Sequence, residues 1–206
     1  MPPGFKADFL LDPDIVFLNH GSFGACPRPV FEAYQRWQRE LERNPVDFLG
    51  ARSRDLMAAA RADLGALIGA PANDVVYFPN PTTAANMVGR SLRLEPGDEI
   101  LTTEYEYGAM DRTWRFNCRQ GGVKYVARPV PLPMTTPEAF VEEFWAGVTD
   151  RTKAIFLSHI TSSTALIFPV QAICQRARAA GILTVIDGAH APSQIPLNMV
   201  EVGADL

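Results

Sequence analysis

The sequence predicts an α/β fold built on a largely parallel sheet with helices on both faces, and three observations lead there. Short runs rich in β-branched and aromatic residues alternate with amphipathic helical stretches along most of the chain. Those runs are apolar throughout rather than alternating, so neither face of the sheet is wet. Their carboxyl ends lead into loops of unusual chemistry, and in open α/β sheets ligands sit at such ends.

The elements follow in order. "RPVFEAYQRWQRELERN" (28–44) places Val30, Tyr34, Trp37 and Leu41 at helical spacing with charges between them. "RSRDLMAAARADLGALIG" (52–69) is a second amphipathic helix, rich in alanine and closed by Gly69 and Pro71. Strands are expected at "VVYF" (75–78), "EILT" (99–102), "VKYVA" (123–127), "AIFLS" (154–158) and "ILTVID" (182–187). Between them, helices are expected near 83–92, 108–120, 137–147 and 169–180. The proline-rich "RPVPLPM" (128–134) reads as a surface crossing, and neither an internal repeat nor a low-complexity linker is present.

Composition narrows the function classes. The chain has 206 residues, 47% of them hydrophobic, enough for a sizeable core. Its 23 acidic and 19 basic residues give a net charge of −4, which does not mark a binder of nucleic acid or of membrane surfaces. Cys26, Cys118 and Cys174 are odd in number and far apart, so a disulfide framework is not expected. His20, His159 and His190 lack zinc-site spacing, so no metal is expected. The start lacks the pattern of a signal peptide, and no apolar run reaches the roughly 18 residues of a membrane span. A cytoplasmic protein is the expectation.

Four loops carry the chemistry. After Phe78 comes "PNPTTAANM", where Thr82 and Thr83 offer hydroxyls and free amides at the start of a helix. That is either an anion site or an ordinary N-cap. No glycine-rich nucleotide fingerprint is present. After Thr102 comes "TEYEYGAM", in which Tyr105 and Tyr107 share a face if the chain is extended. Either ring could cover a planar ligand or pack at the rim of the core. After Ser158 comes "HITSSTALIFP", whose hydroxyls could serve a ligand or cap the helix near Pro169, while His159 alone reads as a core histidine. After Ile186 comes "DGAHAPSQ", which sets Asp187 at the end of a buried strand with His190 three residues on. A carboxylate there is costly without a cationic or hydrogen-bonding partner.

Together with "FLNHGSFGACP" and "ERNPVDFLGAR", these loops resemble, in content and order, the class V aminotransferases, enzymes of fold type I that depend on pyridoxal 5′-phosphate (PLP). The likeness is greatest to the isopenicillin N epimerase-like branch and runs from about Phe17 to Leu206. The resemblance implies a three-layer PLP-transferase large domain with a mostly parallel sheet, cut before the C-terminal small domain. Residues 1–70 would form an N-terminal helical arm on the substrate side, and 71–206 the incomplete PLP-binding domain. Asp187 would pair with the pyridine nitrogen of PLP, and His190 would bond its phenolic oxygen. Tyr107 would stack on the ring, Thr82 and Thr83 would hold the phosphate, and Ser162 would lie near the phenolic oxygen. Asn19, His20 and Gly21 would lie over the substrate.

The family's Schiff-base lysine would fall beyond Leu206, and Lys6, Lys124 and Lys153 stand elsewhere. The resemblance thus implies an amino-acid-directed enzyme of epimerase, aminotransferase or C–S lyase type. It would be a homodimer at full length, and these 206 residues alone would be inactive and poorly soluble. The alternative is a non-catalytic PLP-fold binding module.

Overall fold

A computed structural model describes residues 5–134 and 136–206. The chain divides into two compact units, Met1–Ala60 and Arg61–Leu206.

In the first unit, helix α1 spans Arg28–Arg43 and opens with Pro29 in its first turn, where a missing N–H costs nothing. A π-helical stretch, Asp47–Arg52, follows and leads into α2, Ser53–Ile68, which crosses into the second unit. Trp37 meets Phe48 edge-on at 6.0 Å. Arg52 lies over the Phe48 ring, 5.6 Å from its centre, and pairs with Glu40 at 2.6 Å. Val30, Tyr34 and Trp37 on α1 remain exposed.

The second unit holds a four-stranded parallel sheet. Its strands are β1 (Glu99–Thr103), β2 (Lys124–Arg128), β3 (Thr152–Ser158) and β4 (Leu183–Asp187), in the order β2-β1-β3-β4. The helices are α3 (Pro81–Ser91), α4 (Gly108–Gly121), α5 (Pro137–Trp145), α6 (Val170–Ala179) and the short α7 (Met199–Val202). Strand side chains alternate between the two faces, and both faces are covered. Ile100, Ala154, Phe156 and Val185 pack with Met110, Trp114 and Cys118 of α4 and Ala85 of α3. Leu101, Ile155 and Leu157 pack on the other side with Phe140 and Phe144 of α5 and Ile173, Cys174 and Ala177 of α6. The apolar strands thus fill two cores, as their patterning requires.

One expected strand does not form. Residues 75–78 carry the composition of a strand but pair with none among the described residues, and Val76 is 71% exposed. A strand needs a ladder partner, and composition supplies none. At the far side of the sheet the chain does return to β4: Leu206 donates to the Thr184 carbonyl at 3.1 Å and accepts from the Ile186 amide at 3.0 Å. The Asp205 carboxylate fixes that return by accepting from both the amide and the hydroxyl of Thr184, each at 2.8 Å.

Candidate active site

The carboxyl ends of β1, β3 and β4 lie side by side, because Ser158 stands opposite Asp187 in the β3–β4 register and β1 pairs with β3. Asp187 ends β4 half-buried, with one carboxylate oxygen accepting from the Ala189 amide at 3.0 Å. Burial pushes its carboxyl above the ordinary range, against the Ala189 bond and the charge of His190, which pull it down. Among the described residues no lysine or arginine forms an ion pair with Asp187. A half-buried carboxylate at a strand end, with no lysine or arginine paired to it among the described residues, has the chemistry to face a cationic group of a ligand.

The loop after β1 turns instead of running on. Tyr105 packs against the core cluster under α5 and α6, whereas Tyr107 is half-exposed and caps the start of α4. The shared face expected of an extended chain is therefore absent, and only Tyr107 offers a free ring. At the start of α3 the N-cap is Asn80, whose side-chain oxygen accepts from the Thr83 amide at 2.8 Å and the Thr83 hydroxyl at 3.1 Å. The Thr82 hydroxyl has no hydrogen-bond partner among the described residues, and helix geometry leaves the Thr82 amide outside the α-helical ladder. Asn86 ties this turn to α4 by donating to the Thr82 carbonyl at 3.2 Å and the Thr113 hydroxyl at 3.3 Å.

The hydroxyl-rich loop after β3 does not cap α6, whose N-cap is Pro169 without a side-chain bond. It forms its own turn, with Ile160 bridging antiparallel to Ile167 and Thr161 and Thr164 hydroxyls 2.7 Å apart. Ser162 lies exposed on that turn. His159 is buried, its imidazole pushed toward the neutral form by desolvation. Asn19, His20 and Gly21 belong to the first unit, where the Asn19 carbonyl accepts from Ser22 and Phe23 and the His20 ring rests against Phe17, 4.7 Å away.

Glu106, which is not among the residues expected from the motifs, is only 9% exposed. Its two oxygens meet the Thr103 hydroxyl at 2.6 Å and the Ser158 amide and hydroxyl at 2.9 and 2.6 Å. An acid between two aromatics in a loop that follows an apolar strand was the one available signal. Among the described residues no group of three or more His, Cys, Asp or Glu could hold a metal, and no helix is long and apolar enough to cross a membrane.

The family description "Aminotransferase class-V" matches residues 16–206. Isopenicillin N epimerase of Streptomyces clavuligerus is 38% identical over 200 residues, which cover 97% of this chain and 50% of that protein. Putative L-cysteine desulfhydrase 1 of Oryza sativa subsp. japonica is 30% identical over 203 residues, 91% of this chain and 42% of the relative. The chain spans about half the length of the curated relatives it matches. Among solved structures, the cysteine desulfurase CsdA from Escherichia coli superposes with a TM-score of 0.80 at 25% identity, over 98% of this chain and 52% of that one. The complex of the cystine C–S lyase C-DES with cysteine persulfide gives 0.82 at 23% identity, over 92% and 51%. The parallel sheet with its two covering layers is the fold-type-I architecture, and the chain belongs to the class-V aminotransferase family, whose members depend on PLP.

Proposed function

We propose that this chain builds the cofactor side of a PLP-dependent enzyme acting on an amino acid or an amino-acid-derived substrate. The observation that carries the reading is Asp187, a half-buried carboxylate at the end of β4 with no lysine or arginine paired to it among the described residues. The rest of the site fits the same group. The open Thr82 amide and hydroxyl suit a phosphate at a helix start, and the half-exposed ring of Tyr107 suits a planar ring. When bound, PLP supplies an electron sink for a carbanion at the substrate α-carbon.

The chain's own residues hold that sink in its active form. Asp187 keeps a proton on the ring nitrogen by charge, and His190 offers an imidazole to the phenolic oxygen. Tyr107 covers one face and excludes water from it, while Ser162 serves the oxygen side. Thr82, with Thr83 beside it, anchors the phosphate. Asn19, His20 and Gly21 are assigned to the substrate side. Lys124 and Lys153 do not suit the role of the Schiff-base lysine. Lys124 stands at the start of β2 with its ammonium 3.4 Å from Glu99, and Lys153 near the start of β3 bonds the Asp150 carbonyl. Both lie at the end of the sheet opposite Asp187. The proposed reaction class is epimerisation, transamination or C–S cleavage, by an enzyme that works as a homodimer.

Equilibrium dialysis with pyridoxamine 5′-phosphate, which needs no lysine, tests the site directly. Saturable one-to-one binding is expected, and its absence at millimolar ligand would defeat the reading. Borohydride reduction with PLP, followed by peptide mapping, tests the lysine assignment. Stoichiometric labelling of Lys6, Lys124 or Lys153 would overturn it.

A further inference from the structure

We propose that Glu106 is a positioning residue of this site: its carboxyl ties the loop after β1 to the end of β3 and so fixes Tyr107 and Asp187 relative to one another. The inference rests on the cofactor reading above, but its geometry stands in the chain alone. Three bonds of 2.6, 2.6 and 2.9 Å converge on one buried carboxyl, from Thr103 on β1 and from the hydroxyl and amide of Ser158 on β3. Ser158 is the register partner of Asp187, and Tyr107 is the residue that follows Glu106 in the chain. A displacement of the Glu106 carboxyl would thus be passed in one step to both proposed ring contacts.

The surroundings show that this carboxyl is held by hydrogen bonds and not by a counter-charge. Among the described residues it forms no ion pair. The titratable groups that bear on it are Asp187 from β4 and Tyr125 from β2. Arg115 of α4 lies over the Tyr125 ring and spends its charge on Asp111. Burial pushes the Glu106 carboxyl up, the Ser158 and Thr103 bonds pull it back, and the negative charge of Asp187 adds to the rise. A buried acid with another acid near it and no cation is expensive, so the hydrogen bonds are what keep it in place.

The two possible roles of Glu106 separate on substitution. If it acts by holding the loop, Glu106→Gln retains the clamp, because the amide oxygen can accept from Ser158 while the NH₂ donates to the Thr103 hydroxyl. If its charge were what matters, glutamine would be as harmful as alanine. The experiment compares the full chain with Glu106→Gln, Glu106→Ala and Ser158→Ala by two readouts. The first, without ligand, is amide hydrogen exchange. Glu106→Ala should raise exchange about tenfold at residues 103–108 and 158–159 while leaving the centre of β3 unchanged. The second is binding of pyridoxamine 5′-phosphate and the induced circular dichroism of its ring. Glu106→Ala should weaken binding about tenfold and reduce the dichroic signal, and Glu106→Gln should restore both to within about threefold of the parent.

Ser158→Ala removes one of the three bonds and keeps the charge, so it decides the matter if Glu106→Ala does not fold; a local rise in exchange of about threefold or more is expected. Parent-like exchange and dichroism in Glu106→Ala, or in Ser158→Ala where it stands in, would overturn the proposal, as would glutamine behaving like alanine. A parent chain that binds no pyridoxamine 5′-phosphate would defeat the cofactor reading, and the exchange readout would still decide whether the clamp exists.

Discussion

Two glutamates at opposite ends of β1 show how differently one sheet treats charge. Glu99 opens the strand at 8% exposure and Glu106 follows it at 9%. Glu99 accepts from the Thr149 hydroxyl at 2.7 Å and meets the Lys124 ammonium at 3.4 Å, and its carboxyl is held below the ordinary range by the Thr149 bond, with Lys124 adding to it. Glu106 has hydroxyls and one amide but, among the described residues, no ion pair, and its carboxyl is raised by burial. Asp187, next to it at the same end, is raised for the same reason. The amino end of the sheet pairs its carboxylate with an ammonium, and among the described residues the carboxyl end leaves two carboxylates with no lysine or arginine paired to them. These strand-end carboxylates are the feature on which the proposed cofactor site rests.

The sharpest way to break this contrast is Asp187→Asn. Asparagine keeps the shape and the bond from Ala189 but cannot hold a pyridinium by charge. Loss of a charge-assisted hydrogen bond of about 1.5–3 kcal/mol should weaken pyridoxamine 5′-phosphate binding by about one to two orders of magnitude. The thermal midpoint of the free chain should not fall, since a charge that burial disfavours has been removed. Parent-like affinity in the variant would make Asp187 a structural carboxylate.

The phosphate end should show a smaller and selective effect. Thr82→Ala removes an unspent hydroxyl, so the dissociation constant for PLP should rise by about five- to tenfold. Pyridoxal, which lacks the phosphate, should bind as before. Thr83→Ala added to it should do little more, because the Thr83 hydroxyl already serves Asn80. Asn80→Ala serves as the control: losing the helix cap should cost about 1 kcal/mol of stability in a urea titration. Equal losses for PLP and pyridoxal in Thr82→Ala would assign the turn to helix capping.

The contrast should also appear as opposite pH limbs. The folded carboxyl of Glu99 is lowered, so its contribution to stability is present above the ordinary carboxylate range and is lost as pH falls through the lowered value. Those of Glu106 and Asp187 are raised, so their contribution is full below the ordinary range and is lost as pH rises through the raised values. Urea midpoints measured from acid to neutral pH should therefore lose their acid-side drop in Glu99→Gln. In Glu106→Gln the decline on the other side should shrink. Parallel profiles for the two variants would refute the asymmetry.

The smallest effect is expected at the compensated end. The Lys124 side chain is 64% exposed and its ion pair with Glu99 is screened by water. Lys124→Met should change stability by about 0–1 kcal/mol, with no change in pyridoxamine 5′-phosphate binding. A loss of binding there would show that the two ends of the sheet are coupled.

Much of this contrast was legible in the residues. Apolar runs at 99–102, 123–127, 154–158 and 182–187 became the four strands, because a strand buried on both faces admits few polar side chains. Pro81 and Pro137 stand in the first turns of α3 and α5, where a missing N–H is tolerated, and Gly122 closes α4 in the left-handed conformation that a glycine enters freely. Asp187 could be placed at a strand end from its neighbours alone. Residues 75–78 show the limit of such reasoning, since a strand exists only where another lies beside it.

Which polar groups meet depends on the packing of the chain in three dimensions. Glu106 and Ser158 are separated by 52 positions, and Thr184 and Asp205 by 21. No local pattern carries those pairings, because each depends on which strands become neighbours and on how the loop after β1 turns. A carboxylate at the end of β4, and hydroxyls and aromatics in the loops that follow the strands, can be read from the order of the residues. The fold decided that Tyr107 stays free while Tyr105 is packed away, that Asn80 and not a threonine caps α3, and that Glu106 is held by hydrogen bonds without a cation. The division has a physical cause: hydrophobic periodicity acts along the chain, whereas the burial and pairing of a charge are set by whatever the chain brings against it in space.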